Sequence, residues 1–177
     1  MIMKKIVLLA ILLGVMNLAA LAQKSFPQIE GITLDEHKVS LPLNNGKFSI
    51  IAIAYSRSAE DDLKKWLNPL YETFIKKEKN SGGLSAAEVY DVNFFFVPMI
   101  SGFKKIADDF KKGTDKEYWP YILDTEKTDI KDVQKKVEAK DKEIPYFYVL
   151  NKEGKIVFET SGKYQEAKLS KLEEAVE

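Results

Sequence analysis

Residues 49–70, SIIAIAYSRSAEDDLKKWLNPL, restrict the possible folds more than any other stretch of this chain. Ile50, Ile51, Ala52, Ile53, Ala54 and Tyr55 form an unbroken apolar run rich in β-branched residues. A central strand covered on both faces reads this way, whereas a half-exposed strand alternates. After the polar turn, Leu63, Trp66, Leu67, Leu70 and Phe74 recur at three- and four-residue steps, which gives a helix one apolar face. Ser58 is expected to cap that helix, with Glu60, Asp61 and Asp62 in its positive first turn. Pro69 falls inside the periodic pattern and is expected to kink or split the helix near Asn68. A buried strand feeding a helix is the unit of an α/β fold. It leaves free backbone N–H groups at the helix start, where such folds often place their chemistry.

Composition removes several kinds of chemistry. The chain has no cysteine, so it holds no disulfide, no thiolate nucleophile and no cysteine-ligated metal. It has one histidine, His37, in a polar turn-like setting that reads as surface, and a serine–histidine triad has almost nothing to draw on. No metal or cofactor is expected. Its 27 basic and 27 acidic residues are interleaved, without the basic stripe that a nucleic-acid binder needs.

Met1–Ala22 has the form of a signal peptide: Lys4 and Lys5, an apolar run over Ile6–Leu18, then Ala20-Leu21-Ala22 as a small-x-small cleavage site. The mature chain would begin at Gln23 and be secreted or periplasmic. An uncleaved N-terminal anchor is the rival reading and would be the only route to a membrane. Residues 23–177 read as a single domain. Short strands are expected on either side of Asp35-Glu36-His37-Lys38, followed by a turn at Asn44-Asn45-Gly46. Asn80-Ser81-Gly82-Gly83 breaks the chain after the first helix. Val92–Ile100 is a second buried strand, which Pro98 should end. A helix is expected over Phe103–Lys112 with Gly113 as its stop, then a short edge strand over Tyr118–Leu123. Asp129 is placed to cap a short helix. Glu143–Leu150 and Lys155–Thr160 form a hairpin across Asn151-Lys152-Glu153-Gly154, and an amphipathic helix follows from Gln165. Phe94, Phe95 and Phe96, with Tyr146, Phe147 and Tyr148, read as sheet core, and the pairs Asp61-Asp62 and Asp108-Asp109 as solvated surface.

Three segments resemble the thioredoxin-like superfamily, in particular its peroxiredoxin-like and secreted thiol-disulfide oxidoreductase branches. They are FPQIEGITLDEHKVSLP, IIAIAYSRSAEDDL and EIPYFYVLNKEGKIVFETSG. The resemblance covers nearly all of residues 23–177. It implies a three-layer α/β sandwich, with a central mixed β-sheet and helices on both faces. It also implies that Pro145, after Ile144, is a cis-proline facing the active-site turn. Aligning Leu63 with the family's first-helix leucine puts Ser56-Arg57-Ser58-Ala59 where Cys-x-x-Cys would lie, so Ser56 and Ala59 occupy both redox positions. A serine hydroxyl cannot cycle through a disulfide, and activating it needs an adjacent base. Trp66, Pro69 and the missing cysteines are also similar to the thioredoxin-like assembly factor of the mitochondrial ATP synthase.

Two sites follow. Ser56, Arg57, Ser58 and Ala59 at a helix N-terminus suit an anion or a peptide carboxylate, Arg57 being the one arginine of the chain. The plainer reading is a simple cap, with Arg57 paired to Glu60 or Asp61. The backbone at Ile144 and Pro145 suits an extended peptide, or else is only structural. The expectation is a secreted, non-catalytic thioredoxin-like protein that binds a protein or peptide partner through a cysteine-free pseudo-active site. The alternatives are redox work with a cysteine-bearing partner, or a role in envelope assembly.

Overall fold

A computed structural model describes residues 24–76, 90–100, 111–125 and 128–177. The expectations for Met1–Ala22, for Asn80–Gly83, and for most of Phe103–Lys112 with Asp108-Asp109 lie outside the described residues.

The apolar run becomes β3 (Phe48–Ala54), with all but its first residue buried. It is an inner strand of a four-stranded sheet ordered β4-β3-β6-β7, with β4 (Val92–Pro98), β6 (Tyr146–Leu150) and β7 (Ile156–Ser161). β3 runs parallel to β4 and antiparallel to β6, and β6 is antiparallel to β7, so the sheet is mixed. The pleat sends alternate side chains of β3 to opposite faces. Ile50, Ala52 and Ala54 join Trp66, Leu70, Phe147, Leu169 and Leu172 in one core. Ile51, Ile53 and Tyr55 join Phe26, Ile29, Leu41, Val133, Val137 and Tyr148 in the other.

The helix α1 (Arg57–Tyr71) and the last helix α3 (Glu166–Glu174) cover the first face; the short α2 (Ile130–Lys136) covers the second. This is the expected three-layer α/β sandwich. A smaller antiparallel sheet, ordered β2-β1-β5, contains β1 (Ile29–Thr33), β2 (Lys38–Leu41) and β5 (Leu123–Asp124). The turn between β1 and β2 leaves His37 exposed, its Nδ1 3.1 Å from Asp35. Burial opposes ionisation of Asp35, but hydrogen bonds from Thr33 and His37 outweigh it and hold its carboxyl below the usual range. Asp129 caps α2, accepting from the N–H groups of Lys131 and Asp132. Gly154 closes the β6–β7 hairpin at φ +73°, where a side chain would be strained.

Several expectations are corrected. α1 passes through Pro69 without a break; its fixed φ suits a helix, and only one backbone bond is lost. The backbone changes only at Glu72–Lys76, a π-helical turn. Residues 116–121 form a 3₁₀ helix containing Pro120, and the expected edge strand shrinks to β5. Gly113 is not in the left-handed region, so it does not stop a helix in the expected way. The Ile144–Pro145 bond is trans, and the cis peptide of the described residues is Leu41–Pro42. Trans is the intrinsically favoured isomer of an X–Pro bond. The Pro145 carbonyl accepts from Gly162 N–H at 2.8 Å. Asp62 is buried rather than solvated, because its position faces back toward the sheet and Lys65 neutralises it at 2.7 Å.

Candidate functional site

The start of α1 is built by Ser56, not Ser58. β3 ends at Ala54, whose carbonyl accepts from Met99 N–H at 2.8 Å. Ser56 is extended (φ −143°, ψ 168°) and its Oγ accepts from Ala59 N–H at 3.1 Å. Its carbonyl accepts from Glu60 N–H at 3.0 Å, the first turn of the helix. Either serine has the chemistry of a cap. Ser56 takes the role because the strand stops two residues before it, which puts Ser58 inside the first turn. Ala59 is fully buried against the sheet. Ser56 thus spends its hydroxyl on the cap, and Ala59 packs its methyl group into the core.

The segment before β6 lies across this turn. Ser56 Oγ donates to Glu143 Oε2 at 3.4 Å, and Ser58 Oγ donates to the Glu143 carbonyl at 3.5 Å. Glu143 is held in turn by its N–H on Asp141 Oδ1, and Asp141 N–H reaches Tyr146 Oη, both at 2.9 Å. Pro145 is buried and Ile144 half-buried. Ile144 N–H closes a turn back onto Asp141, while its C=O has no partner among the described residues. Gly162 N–H donates to Pro145 C=O at 2.8 Å, and Trp66 Nε1–H donates to Gly162 C=O at 3.1 Å. A fully buried indole therefore holds Gly162, whose N–H in turn holds the Pro145 carbonyl.

The sequence-predicted residues fall into one neighbourhood, with differences. Ser56, Ser58 and the backbone before Pro145 meet through Glu143, which pattern reading did not single out. Its acidic character was visible, but its contact is made 87 residues from Ser56. Arg57 is exposed and has no ion pair among the described residues. The expected pairing of Arg57 with Glu60 or Asp61 is replaced by Lys64, which lies 2.8 Å from Glu60 and 3.8 Å from Asp61. Lys64 sits one helical turn on, where its side chain meets both carboxylates. Glu60 is almost fully buried, and its Oε2 has no hydrogen-bond partner among the described residues.

Chemically, the site offers hydroxyls, backbone groups and one free guanidinium. Among the described residues Ser56 meets a carboxylate but no imidazole or amine that would take its proton. No cluster of three or more histidine, aspartate or glutamate residues is placed to hold a metal among the described residues. Just behind the turn, the hydroxyls of Tyr55 and Tyr148 are buried without hydrogen-bond partners among the described residues, and burial pushes both phenols far above their usual range. Among the described residues no helix is long and apolar enough to cross a membrane.

Known proteins match at two levels. The model of the family described as ATP10 protein matches residues 20–177. Among solved structures, the thioredoxin domain of a thiol-disulfide oxidoreductase from Bacteroides vulgatus is similar, at 21% identity and TM-score 0.61, over 88% of this chain and 97% of that one. A thiol:disulfide interchange protein DsbE from Chlorobium tepidum gives 15% identity and TM-score 0.58, over 87% and 94%. A member of the Sco family of cytochrome c oxidase assembly proteins gives 10% identity and TM-score 0.54, over 88% and 95%. No curated protein is similar in sequence at a significant level. The fold is thioredoxin-like, and this chain has no cysteine where such proteins carry their redox pair.

Proposed function

This chain belongs to the ATP10 protein family, and we propose that it is a non-catalytic, thioredoxin-like binding protein that holds a protein partner during assembly of an ATP synthase. The observation that supports the reading is the state of the two residues that the resemblance aligns with a redox pair: Ser56 is spent on capping α1 and Ala59 is buried. A fold kept without its chemistry is best used for recognition. The free Arg57 guanidinium supplies a bidentate contact for a carboxylate at the helix start. The open C=O of Ile144 supplies a main-chain acceptor to an extended peptide. Redox work beside a cysteine-bearing partner has no observation in its favour here. Export rests on Met1–Ala22, with Gln23–Glu177 as the working domain.

The test is made in the native host with Arg57→Ala and with a deletion strain. Deletion is expected to lower the amount of intact ATP synthase on native gels while free subunits persist, and the tagged chain is expected to retain a synthase subunit on purification. Arg57→Ala is expected to weaken that retention roughly tenfold to a hundredfold, the loss of one charge-assisted hydrogen bond. Normal levels of intact complex in the deletion strain, or disulfide reductase activity in the purified chain, would overturn the proposal.

A further inference from the structure

We propose a second binding surface: the outer edge of β2 pairs with β2 of a second copy of this chain, joining the two small sheets into one across a two-fold axis at Val39. This surface shares no residue with the site at Ser56 and Pro145 and does not depend on how that site is used.

β2 ends the order of the small sheet, so one of its sides has no strand beside it among the described residues. Thr33 N–H donates to His37 C=O at 2.8 Å and closes the β1–β2 hairpin. The alternation of an antiparallel ladder then makes Gly31–Val39 and Ile29–Leu41 the hydrogen-bonded pairs and turns the N–H and C=O of Lys38 and Ser40 outward. Lys38 and Ser40 are both exposed and Ile32 is 48% exposed, so this edge and the face beside it are open to solvent. The far side of β1 is the closed one: β5 pairs there, and Thr128 Oγ1 donates to Glu30 C=O at 3.0 Å.

A lysine on an edge strand usually guards it, because like charges meet when two such strands pair. One register escapes that guard. Pairing through the outward residues sets Lys38 against Lys38, Ser40 against Ser40, or Lys38 against Ser40 of the second copy. The first opposes like charges directly. The second brings Lys38 opposite Pro42, which has no N–H to give. The third bonds both outward residues of each copy through N–H and C=O alike. Its two-fold axis falls on the half-buried Val39 and sets it opposite Val39 of the second copy, in the class of cross-strand pair whose side chains are closest. The outer face of the hairpin carries a depression of about 410 Å³, lined by Glu30, Ile32, Lys38 and Ser40. In the third register Lys38 reaches over the small Ser40 of the second copy toward its Glu30, two strand spacings or about 10 Å away. Neither Lys38 nor Glu30 has an ion pair among the described residues, so both charges are available for this contact. The stem of Lys38 also lies beside the exposed Ile32, its neighbour across the hairpin. The edge is thus complementary to itself, as an isologous interface requires.

The test is sedimentation velocity of the purified protein over a concentration series, with NMR amide exchange at both ends of it. A monomer–dimer equilibrium is expected. The Lys38 and Ser40 amides are expected to become protected as the dimer forms, while Val39, already paired with Gly31, keeps its protection throughout. Lys38→Glu is expected to raise the dissociation constant roughly tenfold or more, because the two-fold axis counts each weak exposed pair twice and the reversal turns attraction into repulsion. Glu30→Lys is expected to do the same. Combined, the two substitutions restore the complementarity and the dimer, which a fold damaged at β2 would not do. A protein that stays monomeric up to about 1 mM, a dimer that the single reversals leave untouched, or a double variant no better than either single would overturn the proposal. So would Lys38 and Ser40 amides that become protected only when another polypeptide is added, since the edge would then belong to that partner.

Discussion

Trp66→Phe tests whether one indole N–H holds the candidate site in shape. Trp66 is fully buried, its ring centroid 4.4 Å from Phe147 and 5.1 Å from Tyr164. Phenylalanine keeps an aromatic ring there but removes the donor to Gly162 C=O. A buried acceptor left unpaired costs about 1–3 kcal/mol. The smaller ring, three ring atoms fewer, adds about 1 kcal/mol for the cavity it leaves. The sum is about 2–4 kcal/mol, a large share of the roughly 5–15 kcal/mol that folded domains possess. With a urea slope of about 2 kcal/mol per molar, the unfolding midpoint should drop by about 1–2 M. The comparison is Trp119→Phe. Trp119 also donates through Nε1, to Thr114 C=O at 3.1 Å, but it is half-buried with Lys111 and Lys116 over its ring. Water can replace that bond, so the cost should stay below about 1 kcal/mol. Native-state hydrogen exchange should show the Gly162 amide, which bonds to Pro145, losing protection in Trp66→Phe and not in Trp119→Phe. Equal midpoint shifts for the two variants, or an unchanged Gly162 amide, would refute the link from core to site.

Three further outcomes are expected. Above about pH 10, where free tyrosine ionises, the native state keeps the protons of Tyr55 and Tyr148 that the unfolded chain releases, so stability should fall as pH rises, by roughly 1.4 kcal/mol per tyrosine per pH unit. Alkaline urea unfolding measures this, and the double variant Tyr55→Phe with Tyr148→Phe should flatten the slope. Ser56→Cys with Ala59→Cys should form a disulfide spontaneously, because the scaffold places both positions on one turn; the bridge contributes about 2 kcal/mol and the lost cap costs about 1. Two freely alkylated thiols in air would show that these positions are not the counterparts of the redox pair. Lys64→Ala should destabilise by about 1–3 kcal/mol in chemical denaturation, since the Glu60 carboxylate it pairs with is 3% exposed. Lys136→Ala, whose partner Asp132 is half exposed, should stay within about 0.5 kcal/mol.

The parts of this structure that sequence reveals are those governed by neighbouring residues. β3, the α1 face, the Asp129 cap and the Gly154 hairpin each follow from periodicity or from a residue's own backbone preference, and each forms as expected. What escaped depends on distant partners. Two serines compete for one cap, and only the end of β3 decides between them. Glu60 and Asp62 look like any solvated acidic run, because their charge masks that they stand one helical turn before Leu63 and Trp66 on the apolar face. The contact of Glu143 is made with Ser56, a residue far along the chain. The candidate residues were therefore legible as a group, while the bonds that shape their surface were not.

The strand order carries a consequence for how the chain comes to be folded. β3 finds its parallel neighbour β4 within the first hundred residues, yet its other side is met only by β6, whose strand begins at Tyr146. Until then a flat, apolar strand stands with one row of backbone donors and acceptors unpaired, a template for the wrong chain. A chain cut short before Tyr146 would keep that hazard permanently. Threading through a membrane pore before folding would avoid it, since every strand then reaches the far side within one uninterrupted passage. The C-terminal hairpin is thus the piece that makes the rest of the sheet safe.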